Sequence, residues 1–439
     1  MNCESRSMPG VDRISDLPRE LKENILVRLP AKEAVRTCSH AACLANWRFA
    51  WSSIPELVYN KHSISTPKRL RYKNRAEVTM KMVKFVDKFL SLHDGSISKF
   101  VNADVIERNN KALNRWMRVL SRKGIEKIII PAEELYGRKK WKVPPVFWNL
   151  KCLKEVVLEH CVIKLPQAFE GFKLLKSLSL KQLDISDNDL TNLIASCPPL
   201  EILVLSIARS GMNIIIDALK LKHLRFSCYY VKHVNLRAPS AVKAVLYLST
   251  DLLSPCGSNL TDLLNCLPKL EILELRSPSI LRYLSYGCDL ELSIKFDHLK
   301  NLYIHMNFGC QREAAVVRQL FRRAPNLEEL SVSTLPKSYD IGNNLEKWDQ
   351  SIVFEHLKFV KIRGLFKSYE SALLFFAFLL ASTPVLESFR FYLEVENPEF
   401  LQKLAQLKRA SEKAKIYNSE SFSRKSELSP YLYFNFCVI

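Results

Sequence analysis

The chain has 439 residues and a formal net charge of +20, with 48% hydrophobic and 25% charged residues. That length passes the size at which one compact core keeps growing, so it requires several domains or a repeat array. Only 11 glycines argue against Gly-rich phosphate loops, and 12 cysteines without a Cys-x-x-Cys pair argue against compact zinc or dithiol motifs.

Residues 1–10 are expected to be a disordered tail. The segment 11–60 reads as a small helical module. Leu17-Pro18 opens a helix: Pro18 suits its first position, and Leu17, restricted by the proline that follows, stays extended. Glu20 and Glu23 sit near the positive end of that helix, Arg28 near the negative end. Leu21, Ile25 and Leu29 follow i, i+4, i+8 spacing, and Leu26 widens the stripe. Pro30 ends this helix, and a second begins over Lys32 to Val35. About fifty residues of short helices are marginal as an independent domain. The apolar stripe is therefore expected either to bind a partner or to pack as an ordinary helical cap.

The strings Asp12-Arg-Ile-Ser-Asp-Leu-Pro18, Ile25-Leu-Val-Arg-Leu-Pro30, Glu33-Ala-Val-Arg-Thr37 and Trp47-Arg-Phe-Ala-Trp51 together resemble an F-box of the plant F-box/leucine-rich-repeat class. The resemblance implies docking on a Skp-type adaptor and, through it, a cullin. It carries the adaptor-facing role to Ile14, Leu17, Pro18, Leu21, Ile25, Leu26, Leu29, Pro30, Val35, Trp47 and Trp51. Two departures stand out: Ala31 replaces the usual Ser or Thr before the second helix, and Cys38–Asn46 runs about three residues long.

Across residues 76–92, Val78, Met82, Phe85, Val86, Phe89 and Leu90 keep helical spacing. The string from Phe85 to Phe100 resembles the linker of the same family, so 61–96 is expected to be a helical linker that caps the array. Residues 61–150 hold 21 Lys/Arg against 8 Asp/Glu. With no RRM or zinc-finger motif beside it, this surplus reads as a solvated face rather than a nucleic-acid site.

One phrase then recurs: Leu193-Ile-Ala-Ser-Cys-Pro-Pro-Leu-Glu201, Leu263-Leu-Asn-Cys-Leu-Pro-Lys-Leu-Glu271, Leu320-Phe-Arg-Arg-Ala-Pro-Asn-Leu-Glu328 and Leu379-Leu-Ala-Ser-Thr-Pro-Val-Leu-Glu387. It reads as helix, proline stop and short strand. A Leu-x-x-Leu-x-Leu signature, other apolar residues allowed, starts at Ile125, Leu153, Leu175, Leu200, Leu221, Val242, Leu270, Leu299, Leu327, Leu357 and Leu386. Such units cannot bury their own apolar faces and must stack. The expected fold is α/β, an N-terminal α-helical F-box followed by an irregular leucine-rich-repeat solenoid of strand plus helix/turn units over 97–392.

Strand alternation turns a ladder of side chains outward onto a concave sheet: His223 and Arg225; Glu274 and Arg276; Asn301, Tyr303 and His305; Phe359, Lys361 and Arg363; Ser388, Arg390 and Tyr392. Arg225, Tyr303, His305, Lys361, Arg363, Arg390 and Tyr392 are the candidate target-binding residues. They either grip an acidic or phosphorylated segment or are scattered charges with no focus. Residues 354–392 resemble the FBD segment of such plant proteins, with the apolar stretch Ala372 to Ala381 as a buried helix. Over 393–439 a polar helix from Leu401 to Lys413 and a tail are expected.

There is no His-x-x-x-His pair, nucleotide loop or nucleophile elbow. No catalytic residue, metal ligand or cofactor is therefore expected, and the chain is not expected to be an enzyme. The apolar run at 372–381 is too short for a bilayer, so no membrane partner is expected. Scattered cysteines without a signal-like apolar start imply a cytoplasmic or nuclear protein. The expectation is a substrate-recognition subunit of a Skp–cullin–F-box ubiquitin ligase holding an unidentified target. The rival is a ligase-independent scaffold that binds protein or nucleic acid.

Overall fold

Each signature leucine anchors one strand. Ile125, Leu153, Leu175, Leu200, Leu221, Leu270, Leu299, Leu327, Leu357 and Leu386 are all buried, and in every case a strand begins two residues later. The computed structural model describes residues 17–29, 50–59, 75–102, 110–131, 140–207, 211–228, 231–248, 263–277, 280–285, 294–334, 348–364, 369–393 and 398–418. They divide into two units, Met1–Arg209 and Ser210–Ile439.

The first unit opens with α1 (Arg19–Val27) and a 3-10 turn, Ala50–Ser53. Its main sheet is built from β1 (Glu56–Tyr59), β2 (Lys99–Asn102), β3 (Lys127–Ile130), β5 (Glu155–Glu159), β7 (Ser177–Leu183) and β8 (Ile202–Ile207), paired in that order and all parallel. A separate parallel pair joins β4 (Trp141–Lys142) to β6 (Cys161–Val162). The crossovers include α2 (Arg75–Leu92), α3 (Asn110–Ser121) and α4 (Asp187–Ala195). Parallel neighbours need such crossovers, because a tight hairpin can only join antiparallel strands.

Two aromatic clusters fill this unit. Tyr59, Phe85, Phe89, Phe100 and Trp116 meet at centroid distances of 5.9 to 6.2 Å. Phe147, Trp148, Phe169 and Phe172 form the other. Asp87 of α2 ties α3 down by accepting from Trp116 Nε1 and from Arg115, both at 2.7 Å.

In the second unit, β10 (His223–Cys228), β12 (Lys243–Leu248), β13 (Ile272–Leu275), β14 (Asn301–His305), β15 (Glu329–Thr334), β16 (Phe359–Gly364), β17 (Ser388–Leu393) and β18 (Lys415–Asn418) form the main parallel sheet. A second parallel pair joins β9 (Met212–Asp217) to β11 (Val231–Arg237). The helices are α5 (Ile280–Ser285), α6 (Gln311–Arg323), α7 (Tyr369–Ser382) and α8 (Pro398–Ala405). α4, α6 and α7 each end before the proline of a recurrent phrase, and Leu263 to Asn265 form a helical turn before the fourth. A proline lacks the N–H and clashes with the preceding turn, so the chain leaves the helix there.

Four boundaries differ from the sequence expectation. Pro18 is the N-cap and the helix starts at Arg19, one residue later than expected. Glu56–Tyr59, placed in the helical module by sequence, is instead the first strand of the repeat sheet, paired with β2. The signature placed at Val242 belongs to Ala241, which is fully buried while Val242 is not; an alanine does the work of the usual leucine there. Finally, the polar helix expected from Leu401 stops at Ala405, and Lys415–Asn418 adds a strand beside β17.

Candidate functional surfaces

Helix α1 divides its apolar residues between two sides. Leu26 is 1% exposed and faces the chain's own core, as does Lys22. Leu21, Ile25 and Leu29 are 47%, 41% and 36% exposed; Leu21 and Ile25 share one face of the helix, and Leu29 follows two residues past its end. Four-residue spacing stacks side chains on one helix face, so that shared face follows from sequence. Which way it points follows from how the helix docks: Ser53 Oγ donates to Glu23 Oε1 at 2.7 Å and Leu26 seats beneath.

The remaining adaptor-facing candidates divide similarly. Pro18 is exposed and Leu17 half-buried. Trp51 packs on Phe89 of α2 with centroids 5.0 Å apart, so its ring is used internally. Leu26 thus leaves the exposed set, consumed by intrachain packing, while Trp51 stays half-buried. Ile14, Pro30, Val35 and Trp47 lie outside the described residues, as do Ala31 and the stretch Cys38–Asn46.

On the sheet of the second unit, the outward ladder falls into lateral rows. One row runs Arg225, Val245, Glu274, Tyr303, Ser331, Lys361, Arg390, Tyr417. The next holds His305, Ser333, Arg363 and Tyr392. The structure therefore places Tyr303 and His305 on β14, Lys361 and Arg363 two strands away on β16, and Arg390 and Tyr392 beside them on β17, and sets Arg225 three strands from Tyr303.

These side chains interlock. Glu274 sits between Lys243 (3.2 Å) and Arg276, and Arg276 lies over the Tyr303 ring, 4.9 Å from its centroid. Burial alone would push the Glu274 carboxyl up, but the two cations outweigh it and hold it below the usual carboxylate range. Tyr303 Oη donates to Ser333 Oγ at 2.9 Å, and His305 Nδ1 lies 2.7 Å from the same hydroxyl. His305 is only 7% exposed, so it braces the face more than it presents a surface. Lys361 pairs with Glu329 at 2.6 Å, and Arg390 lies over Tyr417. Such an exposed pair is worth at most about 1 kcal/mol, so Lys361 exchanges partners easily.

Sequence reasoning left out Glu329, Ser331 and Ser333, although the Leu327 signature puts them in the same phase. It also left out Lys415 and Tyr417. There the signal is weak, since Lys415–Asn418 offers one large inward residue, Ile416, and no leucine pattern.

The first unit's outward face has another character. Lys99–Glu56, Lys127–Glu155 and Lys181–Glu159 pair at 2.8, 2.6 and 2.9 Å. Between these pairs, Val58, Val101, Ile129, Val157, Ser179 and Val204 form a row with no charge.

Among the described residues, no three His, Cys, Asp or Glu side chains group as metal ligands, and no helix is long and apolar enough to cross a membrane. Burial pushes the Cys161 thiol up and the Cys197 thiol to about 11. Both are poor nucleophiles at neutral pH. Cys197 Sγ donates to the Leu193 carbonyl at the end of α4, a packing role.

The family model for the leucine-rich repeats of the FBD-associated F-box protein At5g56370 matches residues 113–332. Among curated relatives, the F-box/FBD/LRR-repeat protein At1g13570 of Arabidopsis thaliana is 31% identical over 86% of this chain and 90% of its own length. The F-box/FBD/LRR-repeat protein At1g51370 is 22% identical over 91% and 94%, and F-box/LRR-repeat protein 13 is 24% identical over 94% and 98%, both from the same plant. Strand-anchoring leucines, proline-stopped helices and near full-length similarity agree: the chain belongs to the plant F-box/FBD/LRR-repeat family.

Proposed function

We propose that this protein is the substrate-recognition subunit of a Skp–cullin–F-box ubiquitin ligase, acting in the cytoplasm or nucleus. In this reading α1 binds the Skp-type adaptor, which links the chain to a cullin, and the repeat surface holds a target protein. The observation that carries it is the pair Leu21 and Ile25, exposed on a helix already anchored by Leu26, with Leu29 exposed just past the helix end. Burying each such side chain on a partner is worth about 1.5–3 kcal/mol. A binding subunit of this kind performs no bond chemistry itself. It raises the effective concentration of the target near the transferring subunits.

The test compares three forms of the full chain for adaptor binding and thermal stability. Leu21→Ser with Ile25→Ser should abolish adaptor capture and leave the melting temperature within about 2 °C, since both side chains already contact water. Leu26→Ala should lower the melting temperature instead. Failure of the unaltered chain to bind any Skp-type adaptor overturns the proposal.

A further inference from the structure

Helices α2 and α3 each present a stripe of cations to solvent. On α2, Met80, Lys84, Lys88 and Leu92 recur every fourth residue, and all are exposed. On α3, Lys111, Arg115 and Arg118 share one exposed face, which Arg122 continues in the turn after the helix. At 3.6 residues per turn these four lie within about 60° of one another. Phe89 of α2 packs on Tyr59 of β1, and Trp116 of α3 packs on Phe100 of β2. Those strands are paired, so both stripes point away from the same sheet. Asp87, between the helices, is taken by Arg115 and Trp116. Lys84, Lys88, Lys111, Arg118 and Arg122 have no ion-pair partner among the described residues.

We propose that the outer face of α2 and α3 binds the headgroups of an anionic phospholipid membrane as a peripheral contact. The inference goes beyond the substrate-recognition reading and does not rest on it. A surface contact needs no spanning helix, so the shortness of the apolar run at 372–381 does not bear on it.

Three features select a lipid surface. Packed helices lie about 8–10 Å apart, and Lys111 to Arg122 covers about 16 Å along the axis, so the five cations form a flat patch. A bilayer is flat on that scale and meets all five at once, and a cluster of about four to eight Lys/Arg suffices for an anionic leaflet. Next, the α2 stripe begins and ends with apolar side chains, Met80 and Leu92, 56% and 49% exposed. Below the headgroups they reach the acyl boundary, where burial is favourable, whereas a phosphodiester backbone offers them nothing. Finally, single-stranded nucleic acid is held by bases stacked on exposed rings. The rings here are turned inward: Trp116 and Phe89 are buried and Phe85 is half-buried. A duplex curves away from a flat patch and meets it through one backbone.

The test uses the full chain without adaptor, so its outcome is independent of ligase assembly. Flotation would compare phosphatidylcholine vesicles containing about 30% phosphatidylserine with pure phosphatidylcholine vesicles, at about 0.1 M salt. The anionic vesicles should bind at least about tenfold tighter, and the preference should fade as salt rises. Each cation near an anionic leaflet contributes about fivefold, so Lys84→Gln with Lys88→Gln should weaken binding about 25-fold, as should Arg118→Gln with Arg122→Gln. Met80→Ser with Leu92→Ser should also weaken it while leaving its salt dependence unchanged. Lys300→Gln with Lys358→Gln removes the same charge from exposed positions of the second unit and should leave binding intact. Circular dichroism melts of each variant report whether the fold is kept. Equal binding to the two vesicle types overturns the proposal. So does undiminished binding by folded Lys84→Gln with Lys88→Gln, or tighter binding to duplex DNA than to anionic vesicles at matched phosphate concentration.

Discussion

Single residues set the close approaches between repeats. Gly364, at the end of β16, has φ +140, and a Cβ there would lie 1.9 Å from the Thr334 carbonyl oxygen on β15. Only glycine fits both the backbone and the space. Gly364→Ala should therefore destabilise the second unit by about 1–3 kcal/mol or more, read as a fall in the denaturant midpoint. His93, just after α2, is buried and stacks on Phe89; its Nε2 lies 2.9 Å from the Ile54 carbonyl and its Nδ1 is unpartnered. Nε2–H donates to that carbonyl. Burial, with a smaller contribution from Lys123, lowers its pKa below the ordinary value. A depressed histidine contributes stability that is complete above about pH 6.5 and is lost as pH falls through the folded value. Replacing His93 by Gln should flatten this part of the acid dependence, measured by melts between pH 7 and 5. Neither role was visible in sequence, because a histidine after a helix carries no sign of its burial.

At the level of elements, α7 shows how composition and packing meet. Its sequence is apolar all round, which predicts a helix buried on more than one side. In the structure Phe375 and Phe378 pack against Trp348, with centroids 4.7 and 5.2 Å away, and Phe378 also meets Phe321 and Phe354. Phe376 turns the other way, toward Phe389, Phe391 and Phe400. Phe376→Ala should cost about 3–5 kcal/mol, the range for an aromatic removed from a closed core. Leu374→Ala, on the exposed side of the same helix, should cost several-fold less in the same urea titration. The helix and its proline stop were legible from Ala372 to Pro384. The split of its phenylalanines between two clusters was not, since helical spacing gives the faces but not their neighbours.

For the whole chain, the second unit closes on elements that carry almost no repeat signature. α8 contributes Phe400 to the cluster around Phe376, and β18 covers the edge of β17. Repeat arrays need terminal units that shield the last apolar face. Deleting residues 398–439 should expose Phe376, Phe391 and an unpaired strand edge. The expected outcome is stronger dye binding to apolar surface and concentration-dependent aggregation, followed by light scattering. Retention of monomeric, cooperative unfolding in the truncated chain would contradict this role.

Sequence alone determined the repeat. Leucines and prolines at fixed offsets set strand starts and helix ends, because a strand alternates every two residues and a proline cannot continue a helix. It also determined the outward phase of the ladder and the apolar line of α1. Only the tertiary structure decided which of those residues are available. Leu26 is turned into the core, Trp51 is half-buried against Phe89, His305 is braced beneath its neighbours, and Lys361 and Arg276 are held by cross-strand partners. Periodicity assigns a side chain to a face, whereas exposure and pairing depend on residues about thirty positions away that the parallel register brings alongside.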